Sequence, residues 1–245
     1  MGPIKELLQG RKAVLFDLDG TLVDSIGVWT DADQRLAREL TGGAGPDRAE
    51  LLAFREASLR RFRDEPEPYL CYCARLKERY GTELSPRQVQ ARRQAIAHEM
   101  LEQLDYRPGA DRFLRALKGR GYVLVLATTG RKNSVDIYRT RNRNIADKAP
   151  IDEIFDRVYT CEDVAHIKPD PEIYRRALED IGLPAGACLV FEDSLAGVQA
   201  AKAAGIDTAV IYDENSDPDR ARIDALADWR IRDYPTLLAA LGMEG

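Results

Sequence analysis

Two aspartates, Asp17 and Asp19, stand directly behind an apolar run, Ala13-Val14-Leu15-Phe16, and lead into Gly20 and Thr21. Alternate residues of an extended segment point the same way, so both carboxylates can reach one pocket. Carboxylates that close repel each other unless a cation or a proton is shared between them. Gly20 permits the sharp turn that must follow. An Asp-Gly pair alone also fits an ordinary turn, but the whole run FDLDGTLVDS over residues 16–25 argues against that reading.

Three further groupings sit in the same way, each at the end of an apolar run. Thr128 closes Val123-Leu124-Val125-Leu126-Ala127 and is followed by Thr129, Gly130 and Arg131. Lys168 lies in Ile167-Lys168-Pro169-Asp170-Pro171, whose prolines fix an extended approach and a helix start. Glu192 and Asp193 follow Leu189-Val190-Phe191. Singly, each has a plain structural reading. Thr suits a strand end, Lys is usually solvated, and acids are favoured at a helix N-cap by the dipole.

The elements that would position these groups alternate. Short apolar runs over 13–18, 122–127, 157–160, 187–191 and 208–212 predict buried parallel strands, covered on both faces. Helical patterns over 110–120, 134–143, 171–181 and 195–204 separate them. The last of these contains Ala196-Gly197-Val198-Gln199-Ala200-Ala201, which fits a helix packed closely on the sheet. This alternation predicts an α/β fold with a Rossmann-like, doubly wound parallel sheet. Ligand sites in such sheets form beyond the carboxyl ends of the strands, where the groups above lie.

Residues 24–107 break the rhythm. They show no clear strand and predict helices over 28–40, 48–63, 68–80 and 86–104, separated by Gly/Pro-rich breakers at 41–46 and 64–66. The expected organisation is a core of residues 1–23 and 108–245 with an α-helical cap domain, 24–107, inserted after the first strand. Arg55, Arg60, Arg61 and Arg63 form a charged exterior that could include a substrate anchor, and Trp29 is expected to pack near the linker. The basic run 139–144 reads as a solvated helix face that could border the cap entrance.

The 245 residues can bury a substantial core, and a net charge of −5 with no basic stripe argues against nucleic acid as a partner. Four cysteines, among them the C-x-C of Cys71 and Cys73, lack the second spaced pair of a zinc site and read as free thiols. His98 and His166 read as structural or solvated. No apolar run reaches transmembrane length and residues 1–12 lack a signal-peptide core, so a cytoplasmic protein without membrane contact is expected.

The run FDLDGTLVDS resembles the first motif of the haloacid dehalogenase-like superfamily, and Thr128, the Lys-Pro-x-Pro segment at Lys168 and the Glu192-Asp193 pair resemble its second, third and fourth motifs in order. The resemblance covers residues 11–212. It implies a Rossmann-like core with a helical cap that selects the substrate, and a phosphatase acting on a small phosphorylated metabolite. It further implies Asp17 as nucleophile forming an aspartyl-phosphate, and Asp19 as acid and then base. Thr128 and Lys168 would stabilise the transferring group, with Thr129 and Gly130 beside the phosphate. Mg²⁺ would be held by Asp17, Asp193, the backbone carbonyl of Asp19, and Glu192 either directly or through water.

Three other readings compete. A β-phosphoglucomutase-like enzyme would carry a His soon after the first motif and a G-x-S-R loop. The matching stretch here is Ile26-Gly27-Val28-Trp29-Thr30-Asp31, and no G-x-S-R occurs. A haloacid dehalogenase needs no magnesium and usually lacks the second Asp, whereas Asp19 and Glu192-Asp193 are present. A non-catalytic binding protein would have lost at least one chemical residue, and none is lost.

Overall fold

Alternate side chains of Ala13–Phe16 leave opposite faces of an extended segment, and all four are apolar, so the segment is stable only when covered on both sides. The computed structural model, which describes residues 3–43, 45–62 and 65–243, places it inside a sheet. Among the described residues the sheet has six strands: β1 (Ala13–Phe16), β2 (Val123–Ala127), β3 (Arg157–Tyr159), β4 (Cys188–Glu192), β5 (Asp207–Ile211) and β6 (Trp229–Ile231). All pairings are parallel, in the order β3-β2-β1-β4-β5-β6. In register, Phe16 lies beside Leu126 on β2 and Phe191 on β4. The strand order reverses about β1 and β4, and at such a switch point a crevice opens at the carboxyl ends.

The chain divides into two compact units, Met1–Ile26 with Gln103–Gly245, and Gly27–Glu102. The second is helical: α1 (Val28–Thr41), α2 (Arg48–Arg61), α3 (Pro68–Tyr80) and α4 (Pro86–Leu101). Local signals start and stop these helices. Asp47 caps α2, Ser85 and Gln88 form a capping box before Pro86, and Gly42 and Gly81 close α1 and α3 in left-handed conformations. Leu36, Leu51, Leu76, Val89 and Ile96 are buried within the unit. Its interior also holds Asp33, paired with Arg93 at 2.5 Å and Arg55 at 3.1 Å. Arg55 donates to Thr30 as well, so this candidate anchor is committed inside the unit. The Arg93 guanidinium lies 4.8 Å over the Trp29 ring. Arg60 and Arg61 are exposed, and Arg63 lies outside the described residues.

The sheet unit carries α5 (Ala110–Gly119), α6 (Lys132–Thr140), α7 (Arg143–Lys148), α8 (Ile151–Ile154), α9 (Glu172–Ile181), α10 (Leu195–Ala203), α11 (Arg220–Leu226) and α12 (Tyr234–Leu241). Phe16 and Phe191 stack at 5.0 Å on one face and meet Phe113 of α5, which in turn meets Tyr234 of α12. On the other face Ala13, Leu15 and Val190 pack with Ile173, Tyr174, Ala200 and Ala201 of α9 and α10. The pattern expected over 134–143 is instead two helices. Asn142 breaks the run as a buried N-cap of α7, accepting from the Ile145 amide. Arg139 in that basic run is paired with Asp152. Strand β6 and helices α11 and α12 were not foreseen. The four cysteines are free. No helix among the described residues is long and apolar enough to cross a membrane.

Candidate active site

Strand β1 ends at Phe16 and delivers Asp17 to the crevice, where its amide donates to the Phe191 carbonyl at 3.0 Å. Strand β4 delivers Glu192 and, one residue on, Asp193. Lys168 arrives on the loop before α9, next to a cis peptide bond to Pro169. These four side chains are all buried. The Lys168 ammonium donates to Asp17 Oδ1 at 2.7 Å, to Glu192 Oε1 at 2.6 Å and to the Ala127 carbonyl at 2.8 Å. Its three protons are thus directed to three acceptors. The Tyr174 hydroxyl also donates to Glu192 Oε1, at 2.7 Å.

Asp17, Glu192 and Asp193 each offer an oxygen within 4.8 Å of the others. Thr21 donates to Asp193 Oδ1 at 2.7 Å. Burial pushes the Asp17 carboxyl up, against Lys168, and burial with Glu192 and Asp17 pushes Asp193 well above the carboxylate range. Burial alone would lower the Lys168 ammonium, yet Asp17 and Glu192 hold it well above its ordinary value. Three crowded carboxylates facing a single ammonium remain short of positive charge. An all-oxygen donor set of that kind fits a hard divalent cation such as Mg²⁺.

The Asp19 side chain turns elsewhere. It accepts a very short hydrogen bond from Ser25 Oγ and a long one, 3.5 Å, from Thr128 Oγ1. Burial raises its pKa, and those two hydroxyls oppose the rise. Asp17 and Asp19 therefore leave the same turn for different partners: one for the ammonium and acidic cluster, the other for hydroxyls. Gly20 makes the turn at φ +86°, and a Cβ there would lie 2.5 Å from Asp193 Oδ2. Thr128 is buried and accepts from the Gly130 amide at 2.9 Å, while Thr129 is exposed and Gly130 half-buried.

The N-cap of α10 is Ser194, which accepts from the Gly197 amide at 3.1 Å, so Glu192 and Asp193 do not cap that helix. Sequence reasoning assigned no role to Thr21, Ser25, Tyr174 or Ser194. Thr21 and Ser25 lie inside the FDLDGTLVDS run, and their hydroxyls were the available signal. Tyr174 carried none, because its contact with Glu192 depends on how α9 packs. His166 is exposed and meets Glu172 at 3.0 Å.

A family model for haloacid dehalogenase-like hydrolases matches residues 11–205. Protein CbbY of Rhodobacter capsulatus is 29% identical, with 91% of this chain and 93% of that protein covered. A phosphorylated carbohydrates phosphatase of Thermotoga maritima is 29% identical, covering 80% of this chain and 82% of that one. The crystal structure of CbbY from Rhodobacter sphaeroides in complex with phosphate superposes with a TM-score of 0.67 and 25% identity, covering 95% of this chain and 99% of that one. With the parallel sheet, the inserted helices and a match over most of the chain in agreement, this protein belongs to the haloacid dehalogenase-like hydrolase family.

Proposed function

We propose that the protein is a Mg²⁺-dependent phosphatase that hydrolyses a small phosphorylated metabolite through an aspartyl-phosphate on Asp17. The observation that carries this reading is the buried Asp17–Lys168–Glu192 link beside Asp193. It presents a carboxylate nucleophile together with the positive charge an anionic ester requires. The Thermotoga maritima relative named as a phosphorylated carbohydrates phosphatase supports it.

Asp17 and Asp193, with Glu192 beside them and the backbone carbonyl of Asp19, would hold the Mg²⁺. The bound ion supplies a hard positive charge that offsets repulsion between the carboxylate and the phosphate. An Asp17 oxygen attacks phosphorus and the bond to the leaving alkoxide breaks. Asp19, whose hold on a proton is strengthened by burial, gives that oxygen its proton. Ionised Asp19 then takes a proton from water as the water oxygen attacks the aspartyl-phosphate. Inorganic phosphate leaves and the Asp17 carboxylate is restored. Lys168 and Thr128 offset charge on the transferring oxygens, with Thr129 and Gly130 in the adjoining loop. Glu192 keeps Lys168 in place through a 2.6 Å bond.

The test is phosphate release from a panel of phosphometabolites, with Mg²⁺ and with EDTA, for the wild type and Asp17→Asn. Release should require Mg²⁺ and fall by at least about a thousandfold in the variant. Release that survives Asp17→Asn would falsify the nucleophile assignment. No release from any substrate, with hexose phosphates isomerised instead, would replace hydrolysis by a mutase reaction.

A further inference from the structure

We infer that Arg107, a residue outside all four motifs, is a positioning residue for the acidic cluster. It acts by clamping the turn after Asp17 to the loop after β5. The inference rests on the Mg²⁺-dependent reading of that cluster.

Arg107 lies on the segment that returns to the sheet unit, where Tyr106 bridges Val23. Its backbone amide donates to the Leu22 carbonyl at 2.7 Å. Its guanidinium makes three contacts in two loops. Nη1 donates to the Gly20 carbonyl in a very short bond and to Asp213 Oδ2 at 2.9 Å, and Nη2 donates to the Tyr212 carbonyl at 2.6 Å. A planar fork with several fixed donors can satisfy this set, and a lysine ammonium cannot reproduce it. The side chain is only 20% exposed and that of Asp213 is 4% exposed.

The clamped turn bears directly on the cluster. Arg107 fixes the carbonyl of the Gly20–Thr21 peptide. The preceding peptide is fixed by the Gly20 amide donating to the Val23 carbonyl at 2.7 Å. Thr21, next in the chain, donates to Asp193 Oδ1 at 2.7 Å. Gly20 is packed so tightly on Asp193 that a Cβ would not fit. Rotating this turn would therefore move the Thr21 hydroxyl off Asp193. The ion pair of Arg107 with the buried Asp213 ties the turn to the loop after β5. One side chain thus holds the turn that carries the Thr21 hydroxyl to Asp193.

The experiment compares wild type, Arg107→Lys and Arg107→Met as full-length chains. Mg²⁺ alone is titrated by calorimetry, and kcat and KM for phosphate release are measured at saturating Mg²⁺. Arg107→Met should weaken Mg²⁺ binding by about 10–100-fold, the range found for residues that orient metal ligands, and lower kcat while KM changes little. Arg107→Lys, which keeps the charge but not the fork, should fall between. A folded Arg107→Met with wild-type Mg²⁺ affinity overturns the role, as does a loss of kcat explained by the unfolded fraction in circular dichroism. Should Arg107→Met not fold, Arg107→Lys decides. Weaker Mg²⁺ binding at a wild-type melting temperature supports the role, and wild-type binding overturns it. A wild type that binds Mg²⁺ but releases no phosphate defeats the phosphatase reading and still leaves the calorimetric comparison to judge Arg107. A wild type that does not bind Mg²⁺ overturns both.

Discussion

A carboxylate with no exposed surface needs hydrogen-bond partners for its oxygens, and Glu192 has them on both sides. Oε1 accepts from Lys168 and Tyr174, and Oε2 lies 3.2 Å from Ser194 Oγ and 3.3 Å from the Asp193 amide. The space left for it is set by Gly197 on α10, where an added Cβ would fall 1.9 Å from the carboxylate. Gly197→Ala should therefore push Glu192 away from Lys168. We expect a loss of about 1–3 kcal/mol in stability, the usual cost of overpacking, and a drop in phosphate release at saturating Mg²⁺. Thermal unfolding and turnover of the variant check this; wild-type values in both would show that α10 can retreat. The acids and the lysine at this site were legible through the ordered motifs they resemble, since singly each has a plain structural reading. The need for glycine at 197 was legible only as close helix packing, since the carboxylate it accommodates comes from another element.

The helices of Gly27–Glu102 follow from periodicity and caps, yet their interior does not. Asp33 reads as one charge among many on α1, but it is 1% exposed and shared by Arg93 and Arg55, residues 60 and 22 positions away. Pattern along a chain cannot show such pairings, which is why Arg55 read as part of a charged exterior. Removing one partner of a buried ion pair strands the other, so Asp33→Ala should cost about 3–5 kcal/mol, measured by urea unfolding of the full chain. A loss below about 1 kcal/mol would mean that Arg93 finds compensation in the surrounding aromatic rings. Strand β6 escaped notice for a different reason: Trp229-Arg230-Ile231 is too short for a period-2 signal. Its approach is anchored by Asp228, which accepts from Lys202 Nζ at 2.8 Å and from the Thr208 amide at 2.8 Å. Burial alone would raise the Asp228 carboxyl, but Lys202 and the Thr208 amide bring it below the ordinary 3.8. A carboxyl lowered on folding stabilises the protein above its unfolded-state pKa and loses that contribution as pH falls through the folded value. Asp228→Asn should thus be destabilising at pH 7 by no more than about 1 kcal/mol, since the site is nearly a third exposed and screened. The gap from wild type should close below about pH 4 in pH-dependent urea titrations.

At the scale of the molecule, the strand order matters more than any single motif. The alternation along the sequence implies a parallel sheet, but nothing in it says that β1 lies between β2 and β4. That adjacency brings Asp17 beside Glu192 and Asp193, residues separated by most of the chain. The fold thereby gathers carboxylates in a place where burial and neighbouring negative charge raise the proton affinity of Asp17 and Asp193, on a chain already carrying a net charge of −5. Such crowding costs stability without a cation, and a cation that binds only the native state restores it. At Mg²⁺ concentrations 100 times the dissociation constant the gain is about 2.7 kcal/mol, or roughly 5–10 °C in melting temperature for a chain of this size. Asp193→Asn separates the two effects. It removes one charge from the cluster, so in EDTA the variant should melt at or above the wild type. It also removes a proposed ligand, so added Mg²⁺ should leave its melting temperature nearly unchanged. Calorimetric scans of both proteins in EDTA and in Mg²⁺ provide the measurement. A variant that melts well below wild type in EDTA would show that the Thr21–Asp193 hydrogen bond, rather than charge crowding, governs the cluster's stability. A variant that keeps the full Mg²⁺ shift would place the ion elsewhere.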